Sequence, residues 1–261
     1  PNRAVAINFS FPKKIPRGKG PDVISLRWSL PFAMLVLACL QCRPIGPPGG
    51  RRDSYRPSPM PYAPTASSSP SGGGTSLSAM MRQVNVKVDM VRRGTCGRRG
   101  ARPMRPRYIT IHSTQNYTAG AERHSLALKR GALRTGQRPG YLIWHFTVED
   151  SLAIQHMPTT EQGIHADFNG PGNRTSIGIE MCEHRGNNRQ ATTERTAKLA
   201  AVLMKKNGIP LRNVVPHYHW PRRGKSPVNK NCPHFLMDGG RPGAKWRGFL
   251  SRVNYYHRRL E

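Results

Sequence analysis

The segment Pro216–His234, PHYHWPRRGKSPVNKNCPH, brings imidazoles, a thiol and ammonium groups together without a carboxylate. A catalytic zinc site takes three protein ligands from His, Cys or carboxylate and keeps one position for water. Cys232 precedes Pro233, which holds its backbone out of the helical region. A thiolate beside imidazoles favours zinc over magnesium or calcium; the alternative is a small buried apolar side chain. His217 and His219 are expected on opposite sides of the segment, so that only one would ligate a single metal. Lys230, two before Cys232, is expected on the same side as the thiol, where an ammonium would stabilise an oxyanion. Lys225 reads as a solvated loop charge.

Two residues outside the segment have matching chemistry. His112 ends the alternating run YITIH and is followed by the turn-forming STQN; in α/β folds, groups at the carboxyl ends of strands commonly face a cleft. Glu180 sits between Ile179 and Met181 in a chain with only 13 acidic residues. A carboxylate inside an apolar strand is costly unless something uses or neutralises it. It would serve as general base for a metal-activated water, or else pair with an arginine.

The elements that must position these groups follow from periodicity. Strands are expected at YITIH (108–112), YLIWHFTV (141–148) and TSIGIEM (175–181). The parity of the last puts Glu180 opposite Ile177 and Ile179. AERHSLALKRG (121–131) reads as a helix stopped by Gly131. A second helix over 194–208 carries Thr196, Leu199, Ala200 and Leu203 on one stripe and ends at Gly208. A last helix aligns Trp246, Phe249, Leu250 and Val253. Strands interleaved with helices imply an α/β domain over 106–259.

Upstream the composition changes. Residues 29–42, SLPFAMLVLACLQC, are apolar but shorter than the roughly 20 residues that span a bilayer. Basic residues before them fit an export leader over 1–42, and VLAC offers Cys39 as a lipid-bearing site. The long stretch before the run fits mis-assigned coding sequence for about the first thirty residues equally well. Localisation is therefore expected at the cell envelope or periplasm, anchored through Cys39, or in the cytoplasm if the leader is spurious. Residues 43–105, rich in Pro, Gly, Ser and Arg, read as a disordered basic linker holding one short strand near 84–90.

The formal net charge of +29 concentrates anionic polymers of any kind. No helix-turn-helix, zinc-finger or RNA-recognition pattern accompanies it, so specific nucleic-acid binding is not expected. Five unevenly spaced cysteines give neither a disulfide framework nor a paired CxxC zinc pattern.

The motifs YITIHST, WHFTVED, IQHMP, GIHADFNGPGNRTSIGIEMCEHRGN, VVPHYHW and KNCPHFL occur in one order over about 106–255. In this the chain resembles the type 2 zinc-dependent N-acetylmuramoyl-L-alanine amidases, a family that includes phage-type endolysins and peptidoglycan recognition proteins. The resemblance implies a central mixed β-sheet flanked by helices, with zinc in a groove. It implies His112, His217 and Cys232 as ligands, Glu180 as acid/base and Lys230 as oxyanion partner. Trp144, His145, His165, Asn173 and Arg174 match groove positions. The implied substrate is peptidoglycan or muropeptides, cut between the lactyl group and L-alanine; a non-catalytic peptidoglycan-binding module is the alternative. His219 stands where many relatives have an acid, and the loop from Trp220 to Lys230 is longer than theirs. Nothing in the motifs fixes an oligomeric state.

Overall fold

The computed structural model describes residues 74–134 and 140–261. The leader, Cys39 and residues 43–73 lie outside the described residues.

Six strands form one mixed sheet: β1 (Val86–Val88), β2 (Tyr108–Ser113), β3 (Phe146–Val148), β4 (Ala153–Gln155), β5 (Ser176–Met181) and β6 (Val214–Pro216). Their order is β1-β4-β3-β5-β2-β6. The β3–β4 pair is antiparallel and the other pairs are parallel. The helices are α1 (Leu77–Val84), α2 (Ala121–Lys129), the short α3 (Pro171–Thr175), α4 (Arg189–Asn207) and α5 (Ala244–His257); β7 (Met237–Asp238) and β8 (Arg241–Pro242) form a separate hairpin. This is the α/β architecture expected, a mixed sheet flanked by helices.

Alternation divides the central strands into two faces. Ile109 and Ile111 of β2, Phe146 and Val148 of β3, and Ile177, Ile179 and Met181 of β5 bury themselves against Leu199, Ala200 and Leu203 of α4 and Trp246, Phe249 and Val253 of α5. The intervening residues, Thr110, His112, Thr147, Gly178 and Glu180, point the other way. The β2–β5 register sets Thr110 beside Gly178 and His112 beside Glu180. The apolar core therefore fixes where the polar residues face. α4 begins five residues earlier than expected, because Asn188 caps it by accepting the Ala191 N–H at 3.0 Å.

Two sequence expectations need correction. The ordered domain begins about thirty residues before 106. Ser76 caps α1, Met80 of α1 packs with Ala201, Val202 and Leu260, and β1 extends the sheet beside β4. Within the supposed linker, Arg98 is buried: it donates to Glu161 at 2.9 and 2.7 Å and to the Val91 carbonyl at 2.5 Å. Eight helical residues after a Gly/Ser-rich run carry too few turns for periodicity to register. The strand expected over 141–148 shortens to β3; its first half makes only the isolated bridges Arg134–Tyr141 and Ile143–Ile164.

The Arg98–Glu161 pair gives a test of the corrected boundary. Arg98→Met strands a largely buried carboxylate and should cost about 3–5 kcal/mol, read as a lower urea midpoint at unchanged m. An unchanged midpoint would mean that residues 91–105 add nothing to the domain.

Candidate metal centre

The carboxyl ends of β2, β5 and β6 place the candidate residues together. His112 Nδ1 lies 2.9 Å from His217 Nδ1, and these two histidines with Cys232 offer three ligand atoms within 4.8 Å of one another. All three residues are buried. His217 opens a 3-10 turn directly after β6. That turn sends His219 away from the cluster, against Tyr108 and Trp220. The divergence comes from the turn; in an extended backbone, residues two apart share a side. Cys232 Sγ receives the Ser113 backbone N–H at 3.4 Å, which ties the long 220–230 loop back to the end of β2.

A chain of contacts through three imidazoles defines what the centre lacks. His165 Nε2–H donates to the Ser176 carbonyl at 3.4 Å, and His217 Nε2–H donates to the Ala166 carbonyl at 2.8 Å. Between these ends, His165 Nδ1 meets His112 Nε2 at 3.0 Å and His112 Nδ1 meets His217 Nδ1 at 2.9 Å. Each carbonyl needs a donor, so His165 and His217 spend their single protons outward. His112 has one proton for two inner contacts. With it on Nε2, toward His165, two lone pairs face each other at Nδ1. Protonation does not fill the gap near neutral pH. Burial holds His112 well below the usual imidazole range, helped by the charges of His217, His165 and Lys230. Burial, with Lys230, lowers His217 to about 3. A cation between two nitrogens and a thiolate satisfies all of these atoms, and the outward Nε2–H bonds are the kind that orient metal-bound histidines. The residues fit a metal.

Glu180 reaches the same place from β5. Its Oε1 is 3.8 Å from His112 Nδ1, its side chain is 14% exposed, and its Oε2 is buried without a hydrogen-bond partner among the described residues. Burial raises its carboxyl to about 8, against the opposing Lys230 ammonium and with some help from Glu183. Lys230 is half-buried, and its charge also acts on His112, His217 and Cys232. The arginine ion pair considered for Glu180 is not formed among the described residues.

The five residues matched to groove positions differ in their surroundings. Trp144 is buried in a satellite cluster with Val91, Leu128, Ile143 and Met157, its Nε1–H donating to Thr147 Oγ1 at 2.7 Å. His145 is fully buried between two backbone groups: it accepts the Gly178 N–H and donates to the Glu161 carbonyl. Both side chains are buried; an aromatic-rich run does not reveal which side of the sheet each ring takes. His165 joins the imidazole chain, lying over Gly178, where an added Cβ would sit 2.8 Å from its ring. Asn173 is buried and accepts the N–H groups of His165 and Ala166 at 2.9 and 2.8 Å. It therefore aims the Ala166 carbonyl at His217 and is a positioning residue. Asp167 in turn accepts the N–H groups of Gly172 and Asn173. Arg174 is exposed and lines a cavity of about 550 Å³ with Arg99 and Arg102, to which none of the three donors or Glu180 contributes. His234, Glu183 and Ser113 went unnoticed in the sequence. His234 Nδ1 meets Ser113 Oγ at 3.2 Å and its Nε2 meets Glu183 at 3.3 Å, bracing the turn that carries Cys232. The histidine of KNCPH was the available signal.

Two outcomes follow. Asn173→Ala should weaken divalent-metal binding by roughly 10–100-fold, measured by competition with a chromophoric chelator; unchanged affinity would remove the Ala166 carbonyl from the account. Metal affinity should also rise with pH. Burial, with the Glu180 charge, pushes the Cys232 thiol to about 12, and it must lose its proton to ligate. Glu180, raised to about 8, loses its proton as the cation arrives. Calorimetry in buffers of different ionisation enthalpy should therefore report proton release on metal binding, and none would refute a thiolate ligand.

Residues 102–235 match the family described as N-acetylmuramoyl-L-alanine amidase. The N-acetylmuramoyl-L-alanine amidase CwlH of Bacillus subtilis (strain 168) is 38% identical over 173 residues, covering 66% of this chain and 62% of the relative. XlyA of the same strain, also an N-acetylmuramoyl-L-alanine amidase, is 40% identical over 158 residues, 59% and 48% respectively. The chain thus matches less than two thirds of the length of either. Among solved structures, the catalytic domain of XlyA aligns over 65% of this chain and 99% of its own at 37% identity and a TM-score of 0.54. A mutant endolysin from Bacillus subtilis aligns over the same shares at 36% identity and 0.55.

Proposed function

The chain belongs to the N-acetylmuramoyl-L-alanine amidase family, and on that premise we propose that it is a zinc hydrolase. Its substrate is the amide between the lactyl group of N-acetylmuramic acid and L-alanine, in peptidoglycan or in muropeptides. The observation that carries this reading is the convergence of His112, His217 and Cys232 beside a buried Glu180 oxygen that has no hydrogen-bond partner among the described residues.

His112, His217 and Cys232 would hold the ion. When bound, zinc would supply Lewis acidity toward the amide carbonyl and toward water. Glu180 takes a proton from the attacking water and returns it to the amide nitrogen as the C–N bond breaks. The hydroxyl oxygen stays on the lactyl carbonyl carbon, leaving a carboxylic acid and the free amine of L-alanine. Lys230 faces the negative charge that develops on the carbonyl oxygen. His165, Asn173 and the Ala166 carbonyl keep the two imidazoles turned inward throughout. With 42 Lys and Arg against 13 acidic residues, the protein is drawn to anionic envelope polymers, and we place its action at the cell envelope.

Mass spectrometry of purified peptidoglycan treated with the full chain tests the reaction. Expected products are peptides with a free L-alanine amine and peptide-free glycan, suppressed by a chelator and restored by zinc. Unchanged muropeptides from zinc-loaded, folded protein would overturn the reading in favour of a binding module. Glu180→Gln should lower kcat by about 10²–10⁴-fold with zinc content intact; full activity in that variant would dismiss Glu180 as the base.

A further inference from the structure

We infer that the chain carries a second metal site, for a zinc-like divalent transition-metal cation, formed by Glu149, Cys182 and His184. The three residues offer ligand atoms within 4.8 Å of one another. They come from separate elements: Glu149 follows β3, while Cys182 and His184 follow β5. Cys182 is held in place by its backbone N–H to the Val148 carbonyl at 2.8 Å and by Asn187 Nδ2 on its own carbonyl at 2.9 Å. None of the three belongs to the His112–His217–Cys232 centre.

The His184 Nδ1 atom supplies an independent observation. It is buried and has no hydrogen-bond partner among the described residues, a state that buried polar atoms rarely keep. Gly120 shows where it sits: an added Cβ there would lie 2.7 Å from Glu149 Oε2 and 3.5 Å from His184 Nδ1. A nitrogen lone pair, a carboxylate oxygen and a buried sulfur thus border one small space, next to a residue that has no side chain to fill it. Imidazole, thiolate and carboxylate together suit zinc better than calcium or magnesium.

The local field agrees. Burial pushes the Cys182 thiol far up, and Glu149, Glu180, Asp150 and Glu183 push it further. Four of the chain's 13 acidic residues therefore act on one sulfur in a protein of net charge +29. A thiol in such a place does not ionise by itself, whereas a divalent cation is attracted by the same carboxylates and displaces the proton. Bound there, the ion would join the β3 and β5 ends beside the start of α2, to whose first N–H, that of Ala121, Glu149 already bonds at 2.8 Å. This inference is independent of the amidase reading, because none of its three ligands, Glu149, Cys182 and His184, has a part in that reading.

Cobalt titration of the full chain under reducing conditions tests it, with bound metal counted by plasma mass spectrometry and folding followed by far-ultraviolet circular dichroism. The wild-type chain should retain two equivalents. Cys232→Ser should keep a thiolate-to-cobalt charge-transfer band, and adding Cys182→Ala should abolish that band. His184→Gln, at a half-exposed position, should lower the stoichiometry of the wild-type chain by one equivalent while the fold is kept. A stoichiometry that His184→Gln leaves unchanged would overturn the site. So would a Cys232→Ser protein without the band, or a band that persists when both cysteines are replaced.

Discussion

Two neighbouring parallel strands, β2 and β5, impose the constraint on which the rest of the structure depends. A strand can send only alternate residues to one face, so burying Ile109, Ile111, Ile177 and Ile179 against α4 and α5 forces His112 and Glu180 to the other. A one-residue slip of either strand would send its polar set into the core. At about 25 cal/mol per Å² of apolar surface, four fully buried isoleucines outweigh the cost of confining one carboxylate and one imidazole near each other. Core packing therefore sets the geometry of the polar site.

Confinement alone would leave the imidazoles free to turn. Their orientation comes from the loop between Gly163 and Thr175, which hydrogen-bonds to itself before it touches the strands. Asp167 caps the start of α3, Asn173 returns to the His165 and Ala166 amides, and Ser176 Oγ donates to the Gly172 carbonyl at 2.6 Å. The loop presents the Ala166 carbonyl to His217 and the His165 ring to His112. On the sheet side, Gly178 leaves room for that ring. The motif from Gly163 to Glu180 is thus one mechanical unit: its polar residues orient two donors on other strands, and its last residue supplies the base.

What could be read in the sequence divides along the same physical line. Glu180 stood out because a carboxylate in an apolar strand needs a reason, and its parity already placed it off the core face. α4 and α5 were legible because their stripes run over several turns. Short or composite features were not. α1 has eight residues, and its value lies in contacts with Ala201, Val202 and Leu260, more than a hundred residues away. Trp144 and His145 belong to a segment whose first half joins no regular ladder, so strand parity says nothing about where they point. His145 is a case in which chemistry-bearing type misleads: both its nitrogens serve backbone groups. Asn173 shows a role that residue type does not announce: it holds the His165 and Ala166 amides behind the donors while also lining the cavity that Arg174 borders.

Charge distribution completes the connection between fold and function. The strongly basic composition would be expected to repel a divalent cation, yet the carboxyl ends of β3 and β5 gather Glu149, Asp150, Glu180 and Glu183 within a few positions of strand termini. In a low-dielectric setting, near charges dominate distant solvated ones, since screening removes most of the effect of exposed arginines beyond about 10 Å. The protein can then be cationic toward a polymer arriving from solution and anionic toward an ion at its centre. Lys230 is the exception: half-buried, it acts on Glu180, His112, His217 and Cys232 together. One ammonium in that position opposes the cation but favours an ionised Glu180 and an ionised Cys232. It thus shifts the site toward the protonation state in which ligand and base are both ready to act.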